Sequence, residues 1–177
     1  MIDPHREYGD LPGVMEVDSL EALSDYLRFC NGRWRISYHN QHLNDEFEQL
    51  CAAARRLKDC LLIVEETDWF CNAHKMPLEF EQLVKYGRHD RVGLLAVTRA
   101  PAEIHNRIRS EAWELCCFAL QEPAHVEWLG KVVSPEFAVG IQTLPPTVYR
   151  RQSLVDRTQP WQELHTDPKF RSPGSPS

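Results

Sequence analysis

Residues 60–66 read Cys-Leu-Leu-Ile-Val-Glu-Glu, and no other stretch restricts the fold as much. Leu61, Leu62, Ile63 and Val64 form an unbroken apolar run of mostly branched residues, the pattern of a strand buried on both faces of a parallel sheet. Glu65 and Glu66 follow without a spacer. The carboxyl ends of parallel strands are where open α/β sheets bind ligands. Two adjacent acids there suit a shared task, in which one faces a magnesium ion and the other poises a water. The plainer reading is a buried strand that exits into a polar loop, and this stretch alone does not separate the two.

The flanking chain repeats the theme. Val92 to Val97 is a second apolar strand, ending at Thr98-Arg99, and Trp113 to Leu120 reads as a third buried strand. If the first two are parallel neighbours, Glu65, Glu66 and Thr98 reach one edge. Shorter strands fall at Val14–Val17 and at Trp34–Tyr38, where apolar and polar residues alternate. Helical spacing fills the intervals. One helix is capped by Asp18 or Ser19 and ended by Asn31-Gly32. Another starts at Asn44 or Asp45 and buries Phe47, Leu50, Cys51, Ala54 and Leu57. A third runs from Leu78 to Tyr86 and stops at Gly87. Pro101 and Pro123 sit where two more would begin. Strands alternating with helices predict α/β with a largely parallel sheet. Met1–Tyr8 reads as the end of a strand running into a loop. From about Arg151 the pattern decays. The chain is therefore divided into a core over 1–150 and an extension over 151–177, expected to be largely disordered, with a Pro-, Ser- and Gly-rich end from 168 to 177.

Composition removes several classes. A length of 177 residues suits one domain with a tail. A formal net charge of -6 carries no global basic signature for nucleic acid, although a local patch is compatible with it. The 6 cysteines form no CxxC pair and several lie in apolar runs, which implies reduced thiols and a cytoplasmic setting. No signal peptide and no membrane-spanning apolar run are evident. Cys71-x-x-His74 lacks the second pair that zinc requires, and as a nucleophile pair it lacks an orienting third group. The other histidines are scattered. Arg88 and Arg99 read most simply as solvated surface charges. A phosphate-cradling GxxxxGK[ST] does not occur in the chain.

The order of motifs resembles the motor ATPases of the HerA/FtsK superfamily, which pump DNA and have phage relatives used for packaging or virion assembly. Ile2-Asp3-Pro4-His5-Arg6-Glu7-Tyr8 resembles the strand and DPxxEY loop that follow the P-loop helix. Leu61 to Glu66 resembles the Walker B strand, which normally ends Asp-Glu. Arg88-His89 followed by Val92 to Pro101 resembles the R-H … G-hydrophobic-strand-T-Q-R-P segment, and Ile108 to Trp128 resembles what comes next. The resemblance covers roughly residues 1 to 150.

It implies a RecA-like (ASCE) P-loop NTPase core, ATP and Mg2+ as cofactors, a homo-oligomeric ring, and DNA as a partner. It implies Glu65 on the magnesium side, Glu66 activating water, Thr98 near the polar sensor, and Arg88 as an arginine finger acting on a neighbouring subunit. Three features depart from the pattern. Glu65 replaces aspartate and moves its carboxylate by about one bond length. Ala100 follows Arg99 where proline is usual. The P-loop and its strand are missing.

The leading expectation is the rear part of a DNA-translocating or packaging ATPase, truncated and inactive alone. The alternatives are a non-catalytic interaction subunit retaining the motor fold, and an unrelated α/β enzyme using Cys71 or Glu66.

Overall fold

Apolar periodicity becomes a parallel sheet with helices packed on it in the first of two units, Met1–Glu111 and Ala112–Ser177. The structure, a computed structural model, describes residues 1–166 apart from positions 31 and 157. The expected disorder over 168–177 lies outside the described residues.

The first unit contains β1 (Met15–Val17), α1 (Leu20–Phe29), β2 (Ile36–Tyr38), α2 (Leu43–Leu57), β3 (Cys60–Val64), α3 (Thr67–Phe70), α4 (Leu78–Tyr86), β4 (Val92–Ala96) and α5 (Asn106–Glu111). β1 pairs with β2 and β3 with β4, both parallel. A single residue joins the pairs: Ile2 bridges Tyr38 on one side and Val64 on the other, also in parallel. The expected strand-end at the start of the chain is therefore a seam in mid-sheet. Its backbone is anchored by Ile2 N donating to Ile63 O at 2.8 Å and Asp3 N to Tyr38 O at 2.9 Å.

Local chemistry sets the helices. Ser19 caps α1 by accepting from Ala22 N at 3.2 Å. α2 buries Phe47, Leu50, Cys51 and Ala54 along one face, while Leu57 at its end is 40% exposed. Phe47 stacks on Phe70 with centroids 4.1 Å apart and meets the edge of Phe80 at 5.1 Å, which binds α2, α3 and α4 together. Arg55 of α2 adds ion pairs to Glu79 at 3.2 Å and Asp90 at 3.4 Å. After α4 the chain turns at Gly87, where a Cβ would sit 2.6 Å from the Leu83 carbonyl oxygen; close approach, rather than a left-handed backbone, demands glycine there.

Two expectations for this unit are corrected. β3 is buried on one face only: Leu62 and Val64 are inside, whereas Leu61 is 58% exposed and Leu95 of β4, which pairs with Ile63, is 49% exposed. An apolar run does not reveal whether both faces find cover. The helix expected at Pro101 begins instead at Asn106. Residues 100–103 close a turn through Glu103 N donating to Ala100 O, and Ile104 is drawn into the core before the helix starts.

The second unit contains β5 (Glu114–Cys117), α6 (Pro123–Val132), α7 (Pro135–Ala138), a 3-10 turn (Ile141–Thr143), β6 (Val148–Ser153) and β7 (Gln162–His165). Pro123 opens α6 in its first turn, as expected. The strands form an antiparallel sheet in the order β5-β6-β7. β5 is shorter than the expected buried strand, and Trp113 and Phe118 at its ends are exposed. From β5, Leu115 and Cys117 pack on the core of Leu129, Phe137, Ala138 and Ile141, because an antiparallel sheet needs cover on one face alone. The strands of β6 and β7 continue past the point where the sequence pattern decays; their exposed faces are polar, which hides them from apolar periodicity. Arg150 is buried here, donating to the carbonyls of Phe137 and Val139 at the end of α7 and lying 4.7 Å over the Trp161 ring.

All six cysteines stand as free thiols in the structure. Among the described residues no helix is long and apolar enough to cross a membrane.

Burial predicts unequal costs of truncation. Phe80→Ala, at a fully buried aromatic contact, is expected to destabilise by about 3–5 kcal/mol. Leu61→Ala on the outer face is expected to change stability by about 0.5 kcal/mol or less. Urea unfolding of the two variants measures this, and equal losses would mean that the outer face is covered in solution.

Candidate functional site

The parallel register of β3 on β4 aligns Val64 with Ala96, so the residues that follow each strand emerge side by side. Val97 N donates to Val64 O at 2.9 Å and Thr67 N to Val97 O at 2.8 Å, extending the pairing by one step. This brings Glu65, Glu66 and Thr98 to one edge, as expected. The loop after Ile2 supplies the third side, and the three segments line one pocket of about 70 Å³. That volume holds a few waters and is well below the roughly 300 Å³ at which small-molecule pockets begin.

The loop is organised by a buried carboxylate. Asp3 is 1% exposed. Its oxygens accept from Ser37 Oγ at 2.8 Å and from the backbone N–H groups of Tyr8 and Glu7, each at 3.1 Å. Tyr8, held in this way, donates its hydroxyl to Glu65 Oε1 at 2.8 Å. Burial raises the Glu65 carboxyl above its ordinary value; the neighbouring Glu66, Asp3 and Glu7 act in the same direction, and the Tyr8 hydrogen bond acts against them. Tyr8 is pushed up as well, by burial first and by Glu65 second.

Glu66 occupies a left-handed backbone conformation (φ 48, ψ 51), which costs a non-glycine residue on the order of 1 kcal/mol. The turn is held by Thr67 Oγ1 donating to Val64 O at 3.0 Å and by Trp69 N donating to Glu66 O at 2.8 Å. Only 8% of Glu66 is exposed. Its Oε1 lies 2.8 Å from a guanidinium nitrogen of Arg99 and 3.5 Å from Nε2 of His5. Thr98 donates its hydroxyl to Asp68 and accepts from Ala100 N at 3.0 Å, so it ties the end of β4 to α3.

Two side chains at this site escape the sequence reading. Arg99, read as a solvated charge, is exposed yet ion-paired to Glu66. His5 was one of the scattered histidines, and its place beside Glu66 and against Trp69, with ring centroids 5.1 Å apart, follows from the mid-sheet position of Ile2. The DPxxEY stretch was the available signal for both Tyr8 and Asp3. Arg88 is not brought to the site within one chain. It is exposed in the turn before β4, about 16 Å of strand away from Thr98.

The acids do not form a free-standing metal cage: among the described residues no cluster of three His, Cys, Asp or Glu side chains could hold an ion. Magnesium, however, usually keeps its waters and takes one or two carboxylates together with substrate phosphates. Glu65 fits that role, since among the described residues its Oε2 makes no hydrogen bond. The Cys71/His74 pair fits neither metal nor nucleophile. Cys71 is buried with its thiol donating to Thr67 O, burial pushes it up to about 11, and His74 is exposed.

A parallel α/β unit with acids at its carboxyl edge agrees with the α/β fold that the order of motifs implied. Comparison with solved structures gives the particular form. The chain is similar to the genome packaging NTPase B204 of Sulfolobus turreted icosahedral virus 2 in complex with ATP-gammaS, with a TM-score of 0.73 and 20% identity over 93% of this chain and 80% of that one. The AMPPCP complex of the same protein gives a TM-score of 0.69 at 18% identity, covering 94% and 81% of the two chains. B204, the DNA-packaging ATPase from Sulfolobus turreted icosahedral virus, gives 0.64 at 18% identity, covering 87% and 82%. At these identities the likeness establishes the fold. No protein-family model matches the sequence, and no curated protein matches it.

The raised Glu65 pKa sets a pH dependence. The folded protein holds this proton more tightly than the unfolded chain does. The group's contribution to stability is therefore fully present below the ordinary carboxylate range and declines as pH rises through the folded pKa. Glu65→Gln is expected to melt above the wild type near neutral pH, with the difference shrinking on acidification toward pH about 4. Melting curves across that range check it; a difference independent of pH would exclude burial of the Glu65 charge as its cause.

Proposed function

We propose that this chain is a subunit of an ATP-driven DNA-packaging or DNA-translocating NTPase, with its chemistry at the edge formed by β3 and β4. The observation that carries the reading is the convergence of Glu65, Glu66 and Thr98 on one pocket, in a fold shared with a packaging NTPase crystallised with ATP analogues. Glu66 is the group to orient an attacking water, being a buried carboxylate aimed into the pocket by a strained turn. Glu65 would hold the magnesium that accompanies the nucleotide, and that ion would neutralise charge on the phosphates. Thr98 ties the end of β4 to α3 and serves as the polar sensor. Arg88, remote within its own chain, acts on a neighbouring copy in a ring, and DNA is the polymer moved.

One observation favours a second reading, a non-catalytic subunit that keeps the motor fold. The chain contains no GxxxxGK[ST], and the Glu66 carboxylate is already engaged by Arg99. Backbone N–H groups and the lysine of that motif normally hold the β and γ phosphates.

The 177-residue polypeptide is therefore expected to bind Mg-ATP more weakly than micromolar by calorimetric titration; micromolar affinity would show that phosphates are held by other means. In an assembly that supplies the missing phosphate cradle, Glu66→Gln is expected to retain ATP binding while turnover falls by about 10²-fold or more. Undiminished turnover in that variant removes the catalytic assignment and leaves the non-catalytic one.

A further inference from the structure

We propose that Tyr8 is a positioning residue whose hydroxyl pins Glu65 Oε1 and so presents the other carboxylate oxygen to the pocket. The inference rests on reading Glu65 as the carboxylate that meets magnesium.

A glutamate is a loose ligand unless something fixes its extra torsion, because each free side-chain rotor must be ordered on binding. Here the fixing runs through an unbroken series of hydrogen bonds back to the sheet. Asp3 is set in the sheet by its N–H donating to Tyr38 O. Its carboxylate, almost fully buried, is held by Ser37 of β2 and in turn binds the backbone N–H groups of residues 7 and 8. The Tyr8 side chain thus leaves from a backbone fixed at its own amide and at the one before it, and its hydroxyl meets Glu65 Oε1 at 2.8 Å. A ring needed only for packing would serve equally as phenylalanine; the donated hydrogen bond is what tyrosine adds.

The same geometry accounts for the departure at position 65. An aspartate there would fall about 1.5 Å, one carbon–carbon bond, short of the hydroxyl and lose the bond. Glu65 and Tyr8 therefore form a matched pair, in which the longer acid is compensated by a tether. Outer hydrogen bonds of this kind orient metal-binding carboxylates, and their loss typically costs about 10–100-fold in metal affinity.

The test is NMR of the full 177-residue chain with its glutamate side chains labelled. In the wild type, the three-bond couplings of Glu65 are expected to report a single rotamer. In Tyr8→Phe, which keeps the ring, they are expected to average. Glu65→Asp probes the bond from the other end: the Tyr8 hydroxyl proton, slowed in exchange by the bond, is expected to enter fast exchange with water. Couplings unchanged in Tyr8→Phe would overturn the proposal, as would an unaltered hydroxyl proton in Glu65→Asp. Manganese titration then addresses the reading beneath it. The Mn2+ concentration that half-broadens the Glu65 amide is expected to rise about tenfold in Tyr8→Phe. Broadening of equal midpoint in both proteins overturns the positioning role. If Mn2+ never broadens Glu65 in the wild type, the magnesium assignment fails, and the couplings alone decide whether the tether exists.

Discussion

The candidate site depends on one seam, the parallel pairing of Ile2 with Tyr38 on one side and Val64 on the other. It is one residue wide. Through it the β1–β2 pair and the β3–β4 pair become one sheet, and the loop after Ile2 is delivered to the carboxyl edge of β3. Parallel register does the rest, since all strands point the same way and their exits cluster. Were the seam absent, Glu65 and Glu66 would still follow β3, but Asp3, His5 and Tyr8 would have no reason to be near them.

The electrostatics of that edge follow from crowding. Asp3, Glu7, Glu65 and Glu66 line one small pocket, where, among the described residues, Arg99 is the fixed cation and the His5 ring lies beside Glu66. Three of these acids are managed differently. Asp3 is saturated by donors from a strand and a loop, Glu66 is paired with Arg99, and Glu65 keeps one oxygen for Tyr8. A carboxylate satisfied by two backbone amides and a hydroxyl is structural in effect, because its charge has nothing left to offer. One bound at a single oxygen retains capacity, and it is Glu65 that both lacks full compensation and carries the raised pKa.

Much of this was legible in advance where local chemistry decides. The Ser19 cap, the buried face of α2, the stop at Gly87 and the opening of α6 at Pro123 are each written in a few adjacent residues. The β3 and β4 strands were legible for the same reason: branched apolar runs bounded by polar residues. Misreadings arose where distant cover decides. Leu61 and Leu62 look alike in sequence, yet one is 58% exposed and the other buried. Trp113 and Phe118 look like core and are exposed, while β7 looks like a polar tail and is a strand, because antiparallel partners give a polar segment a ladder to join.

The sequence by itself determined which residue types stand at the ends of two apolar strands, and that no phosphate-cradling motif lies among these 177 residues. Those are facts of order and identity. What only tertiary structure decided is which of the scattered polar groups belong together. Tyr8 and Glu65 are 57 positions apart, and Arg99 reads as one more surface cation until the strand register sets it 2.8 Å from Glu66. Hydrogen bonds and ion pairs act over a few ångströms of space regardless of separation along the chain, so their partners are settled by the sheet and not by spacing.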